Sequence, residues 1–162
     1  MRRLAATPDD PPSVGDLYEI EGRRLWRAVF AWCQDRAVAD DAVAEAFAQC
    51  LRRGEEIHDP RAWVWTVAFR LAAGELKARR RFVADEEVGD PPFAEPSADA
   101  ADLLAALRRL PTNQRAAVVL RYYGGWETDE IARALGAGRA TVRVHLSRGR
   151  RRLRELLEGD DS

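Results

Sequence analysis

The sequence predicts an all-α chain: two small helical domains joined by a flexible acidic linker. Three observations lead there. Apolar residues recur at helical spacing through most of the chain, and no stretch alternates as a strand would. Residues 82–101 gather a net charge of −6 together with Gly89, Pro91, Pro92 and Pro96. Near the C-terminus, two short amphipathic patterns flank a Gly-Ala-Gly turn, and the second is densely basic. The overall charge of −1 hides this segregation, since residues 102–154 sum to +8 and residues 155–162 to −4. A cationic segment set between acidic ones points to a polyanionic partner. At 162 residues and 46% hydrophobic content, there is enough apolar material for packed cores. The expected boundaries are 1–15, a flexible N-terminus; 16–81, the first domain; 82–101, the linker; and 102–158, the second domain.

Residues 1–15 hold three prolines and little to bury. Leu17 to Cys33 reads as a helix with Leu17, Leu25, Val29 and Cys33 on one face, weakened locally by Gly22. After the polar break QDRAVAD, Asp40 or Asp41 is expected to cap a second helix with a core stripe of Val43, Phe47, Cys50 and Leu51. Its other face shows Asp41, Glu45, Gln49 and Arg52, an acidic to polar strip suited to a basic helix of a partner. The stretch EEIHDP reads as a loop, and Pro60 can open the third helix, Arg61 to about Arg81. That helix is expected to bury Val64, Val67, Ala68 and Leu71, and to present Trp65, Phe69, Arg70, Lys77, Arg80 and Arg81. Aromatics interleaved with cations suit an unstacked single strand, because bases stack on rings while phosphates meet the charges. The alternative is that Trp63 and Trp65 straddle the edge of a small core.

The linker follows, with an extended reach of up to ~66 Å. Helix resumes from Asp102, with Leu103, Leu107 and Leu110 in register, until Pro111. Thr112 is expected to cap the next helix, which carries Val119, Leu120 and Tyr123 and stops at Gly124-Gly125. A helix-turn-helix completes the chain. Its first helix runs from Thr128 to Leu135, burying Ile131 and Leu135, and Gly136 can take the left-handed conformation that closes it. The second starts near Arg139 and aligns Val142, Leu146, Gly149 and Leu153. The opposite face presents Arg139, Arg143, Ser147, Arg148 and Arg150. Arginine content alone says little, since 25 of the 26 basic residues are Arg. Position says more: residues 139–154 carry seven Arg and no acid. Such a face suits the major groove, where a guanidinium meets guanine bidentately. A membrane-surface helix is disfavoured by the preceding helix, the Gly turn and the lack of Trp or Phe on the apolar side.

Other classes are poorly supported. Cys33 and Cys50 have neither CxxC nor metal spacing and read as small buried hydrophobes in a reducing compartment. His58-Asp59 and the group Asp40, Asp41 and Glu45 lack metal-ligand or nucleophile spacing, so no enzyme, metal or cofactor is expected. No apolar run approaches the ~20 residues of a membrane span, and the start lacks the apolar core of a signal peptide. Membrane insertion is not expected, and a cytoplasmic location is.

These residues resemble a known family. LRRLPTNQRAAVVLRYYGGWETDEIARALGAGRATVRVHLSRGRRRLRELL is similar to region 4 of bacterial sigma factors of the extracytoplasmic-function (ECF) group, within the sigma-70 family. LYEIEGRRLWRAVF, DDAVAEAF and DPRAWVWTVAFRLAAGELKARRR resemble region 2. The resemblance implies a dissociable RNA polymerase subunit for transcription, with partners in the core enzyme (the largest-subunit coiled coil and the flap region) and promoter DNA, and with an anti-sigma factor as a further candidate partner. It places Arg143, Ser147 and Arg148 on −35 bases, and Arg121, Arg139 and Arg150 on phosphates. Trp65, Arg70, Lys77, Arg80 and Arg81 fall near the −10 element, with the loop from Glu55 to Ala62 where a flipped base would be held. Asp41, Glu45 and Gln49 fall on the polymerase grip. The chain departs from the pattern at Arg70, where Asn is common; at Gly74, where Asp is common; at Ala44, where Gln is frequent; and at Glu127, where Ser or Thr is usual. Two rivals remain: a stand-alone helix-turn-helix regulator, and a degenerate sigma-like protein that binds polymerase without melting DNA.

Overall fold

The computed structural model describes residues 11–79 and 98–159, and no strand occurs among them. Three helices form the first half: α1 (Val14–Cys33), α2 (Arg36–Arg53) and α3 (Pro60–Arg79). The second half holds α4 (Ala98–Arg108), α5 (Thr112–Val118, continued by a π-helical turn Val119–Tyr123), α6 (Thr128–Leu135) and α7 (Arg139–Gly159). Residues 82–97 of the expected linker lie outside the described residues, as do residues 1–10, Arg80 and Arg81. Residues 98–101 belong instead to the first turn of α4.

Three helix starts differ from the expected caps, and in α5 Thr112 is the first helical residue, not the cap, with Pro111 before it and no side-chain cap bond because a proline has no side-chain acceptor. Ser13 caps α1: its hydroxyl accepts from the Asp16 N–H at 3.1 Å while its own N–H donates to the Asp16 carboxylate at 3.1 Å. This reciprocal box starts the helix at Val14, inside the segment expected to be flexible. Between α1 and α2 the break is only two residues long. Gln34 takes the left-handed conformation at φ 57°, and the Asp35 carboxylate accepts from the Val38 N–H at 3.0 Å. The cap is therefore Asp35, not Asp40 or Asp41, because Val38 and Ala39 are already needed in the core. Asp40 is left to accept the Trp26 indole N–H at 2.6 Å.

Packing corrects the expected faces at four positions. Leu51 is 65% exposed and Leu103 is exposed too, each lying off the buried arc of its helix. Trp65 and Phe69, expected on the outer face of α3, are buried. The reason is that α3 meets neighbours on two sides, α1 and α2 on one and α6 on another, so its buried arc widens to Val64, Trp65, Ala68, Phe69 and Ala72.

One continuous apolar core runs through both halves. At the seam between them the Trp32 indole N–H donates to Thr112 O at 3.1 Å, and Arg115 Nη1 donates to Trp32 O at 2.7 Å. Arg115 also donates to Arg108 O and Leu110 O at 3.0 Å, which ends α4 and ties it to α1 through a single guanidinium. Farther along, Arg24 donates to Tyr123 O at 2.9 Å, and the Trp65 and Trp126 rings lie 6.0 Å apart. Gly124 sits between them. A Cβ there would fall 2.7 Å from Leu120 O and 2.9 Å from the Trp126 ring, so only glycine allows this approach.

Candidate nucleic-acid interface

The C-terminal helix pair is built as its sequence expects. Gly136 closes α6 at φ 61°, and the Glu130 carboxylate accepts the Glu127 N–H at 2.8 Å at the start of the same helix. This bond lets Glu127 stand where a hydroxyl residue is usual. In α7 the inner stripe of Val142, Leu146, Gly149 and Leu156 is buried, with Leu153 partly so. A Cβ on Gly149 would lie 2.7 Å from Val118 Cγ2, so α5 and α7 approach as closely as glycine permits.

That contact turns the other side of α7 outward. Arg143, Val144, Ser147 and Arg148 are all exposed on its first three turns. At ~100° per residue, Arg143 and Arg148 flank a central strip that holds Val144 and Ser147. Neither the Arg143 nor the Arg148 side chain makes a hydrogen bond or ion pair with another described residue. The expected phosphate contacts differ, for each has a partner in the chain. Arg139 pairs with Asp129. Arg150 donates to the Tyr122 hydroxyl at 2.9 Å. Arg121 donates to Trp126 O and to the Glu127 carboxylate, both at 3.0 Å. Exposed pairs of this kind are worth little, so Arg139 and Arg150 can exchange these partners for phosphates. Arg121, half-buried, also holds the turn before α6.

On α3 the exposed residues Arg70, Gly74 and Lys77 fall on one strip at i, i+4, i+7 spacing. Trp65 is not part of it. Its ring is fully buried, and its indole N–H donates at 3.1 Å to Glu21, whose carboxylate also accepts from Arg61 at 2.9 Å. The partly exposed aromatic at this end is Trp63, with the Arg53 guanidinium 5.7 Å from its ring centre. A 200° turn separates the two tryptophans, and sequence alone does not say which of them faces in. Glu21, 40 residues from Arg61, carries no local signal of its role.

The outer strip of α2 exposes Asp41 and Glu45, with Gln49 partly covered. Hydrogen bonds from Gln49 at 3.0 Å and Arg52 at 2.9 Å hold the Glu45 carboxyl below its usual range, so it stays charged. Burial pushes the Cys33 thiol up to about 11 and raises that of Cys50, as suits buried apolar residues. Among the described residues no group of His, Cys, Asp and Glu could hold a metal ion, and no helix is long and apolar enough to cross a membrane.

Residues 100–153 match the family model described as Sigma-70, region 4. Over 88% of its length the chain is 32% identical to the ECF RNA polymerase sigma factor SigL of Mycobacterium tuberculosis, covering 87% of that protein. It is 30% identical to the RNA polymerase sigma factor CarQ of Myxococcus xanthus over 88% of this chain and 87% of that one. It is 34% identical to the RNA polymerase sigma-E factor of Streptomyces coelicolor, over 85% of this chain and 81% of that one. The fold is similar to that of the sigma factor RpoE of Bartonella quintana, solved in complex with the anti-sigma factor NepR (TM-score 0.77, 23% identity, 89% of this chain and 96% of that one). It is also similar to that of CnrH in complex with the cytosolic domain of CnrY (TM-score 0.67, 22% identity, 91% of this chain and 88% of that one).

Proposed function

The chain belongs to the ECF group of RNA polymerase sigma factors, and from that premise we propose how its surfaces divide the work of directing core polymerase to specific promoters and initiating transcription. The single observation that carries the division is the outward face of α7, where the Arg143 and Arg148 side chains have no partner among the described residues and Ser147 lies between them. An exposed guanidinium with no acid beside it is free to meet an anion or a guanine edge, and the major groove supplies both.

The second half, α4–α7, is the region 4-like unit that reads the −35 element in duplex form. Arg143, Ser147 and Arg148 meet bases, while Arg121, Arg139 and Arg150 meet phosphates. The first half, α1–α3, is the region 2-like unit that holds the core enzyme and the −10 element. Arg70 and Lys77, with Arg80 and Arg81 beyond the described end of α3, supply its positive charge. Trp65 has no place in that contact, since it forms part of the core. Asp41, Glu45 and Gln49 form the acidic strip that docks the coiled coil of the largest polymerase subunit, and the flap region is the expected partner of the second half.

No residue acts as a catalyst in this reading; the chemistry stays with polymerase. The chain works wherever polymerase and chromosome are, which in a bacterium is the cytoplasm. One relative in fold, RpoE, is held by the anti-sigma factor NepR, and this chain is proposed to be masked in the same way. A stand-alone regulator fits less well, because the similarity to sigma factors spans both halves.

Two promoter elements two helical turns apart lie ~70 Å between centres. A compact body of ~150 residues has a radius of gyration of only ~15 Å. Reading both elements at once therefore requires the halves to part at the seam.

Run-off transcription with purified core polymerase on a promoter library tests the proposal. Specific transcripts that vanish with Arg143→Ala and Arg148→Ala support it. Polymerase binding without any transcript would favour a degenerate sigma-like protein, and absence of binding would favour a stand-alone regulator.

A further inference from the structure

On the cationic face of α7 one residue breaks the pattern. Val144 is 45% exposed, although it sits between Arg143 and His145 and has arginines on both flanks of its strip. A lone exposed valine is ordinary on a mixed surface. Here it occupies the sixth position of the helix, within the opening turns from which a recognition helix reaches base edges.

Its surroundings leave it open. One turn before it stands Ala140 and almost one turn after it Ser147, both exposed and both small, and with Arg148 as its long neighbour at i+4 the isopropyl group still keeps 45% of its surface open. The major-groove edges of the four bases offer a valine one apolar target, the C5 methyl of thymine. We propose that Val144 reads a thymine methyl in the upstream promoter element, with Arg143 and Arg148 anchoring the groove on either side. This inference rests on the assignment of α7 as the duplex-reading helix, and it adds a specificity residue that recognises by apolar contact instead of by hydrogen bonds.

The test uses the full chain assembled with core polymerase. Holoenzyme first selects its preferred upstream element from a randomised promoter library. Each thymine of that element, on either strand, is then replaced by deoxyuridine, which lacks only the methyl group. Wild type is expected to lose ~4-fold in affinity at one position, about the value of one buried methyl group. Val144→Ala, which keeps a good helix former at the site, is expected to bind thymine and deoxyuridine equally there while retaining its preference at the bases that depend on Arg143.

Three results overturn the inference: a selected element without thymine, indifference of wild type to every replacement, or a methyl preference that survives Val144→Ala. Failure of the underlying assignment looks different. In that case no upstream element emerges from the selection, or the Arg143→Ala variant selects the same one.

Discussion

The outer faces of α7 and α3 were expected to do comparable work, and they are built in opposite ways. On α7 the expected base-contacting residues Arg143, Ser147 and Arg148 all face solvent, because the buried side is a narrow apolar stripe around Gly149. On α3 the expected aromatic contacts Trp65 and Phe69 turn inward, because a second neighbour covers that side. The difference teaches that exposure can be inferred from a run of like charges but not from aromaticity. A run of guanidiniums without acids has nowhere to go but water or an anion. A tryptophan is stable on either side of a helix, and only its neighbours decide.

The largest expected effect tests that contrast directly. Trp65→Ala removes a fully buried ring and leaves the Glu21 carboxylate with Arg61 alone, so chemical denaturation should show a loss of about 3–5 kcal/mol, whereas Arg70→Ala on the exposed strip should stay within about 0.5 kcal/mol. Full stability of the Trp65 variant combined with a defect confined to promoter melting would break the comparison. Next comes Arg143→Ala, expected to cost about 1–3 kcal/mol on the preferred duplex and to relax one base pair. In the same binding titrations Arg150→Ala should weaken all sequences alike and lower the salt slope by about one. Equal behaviour of the two variants across a panel of duplexes would erase the division between base and phosphate contacts.

Two glycines sharpen the contrast further. Gly149→Ala drives a methyl into Val118 across the seat of α7 and should destabilise by about 1–3 kcal/mol in thermal or denaturant unfolding. Gly74→Ala, where a Cβ meets nothing within 4 Å, should stabilise by up to about 1 kcal/mol. A stabilised Gly149 variant would mean that α7 sits less tightly on α5 than the geometry requires.

The helices themselves were legible because their periodicity is local: each of the seven was expected within a few residues of where it lies. The turn around Gly136 and the apolar seat of α7 were legible for the same reason. Capping was less so. Several acids crowd the start of α2, and which one caps depends on whether Val38 and Ala39 are needed inside, a tertiary question. The contacts that join the halves carry no local signal at all. Arg115 and Trp32 are 83 residues apart, and Arg24 and Tyr123 are 99 apart. Glu21 shows the same limit, since a surface glutamate and a buried one look alike until Trp65 and Arg61 are placed beside it.

The seam also gives the chain a built-in optical gauge. Of its five tryptophans, Trp32, Trp65 and Trp126 are buried where the halves meet. Parting the halves would wet these three indoles together, so their emission should move to longer wavelength without any added dye. The unlabelled polypeptide can thus report in real time, on promoter DNA or in denaturant, whether it is folded shut or spread open.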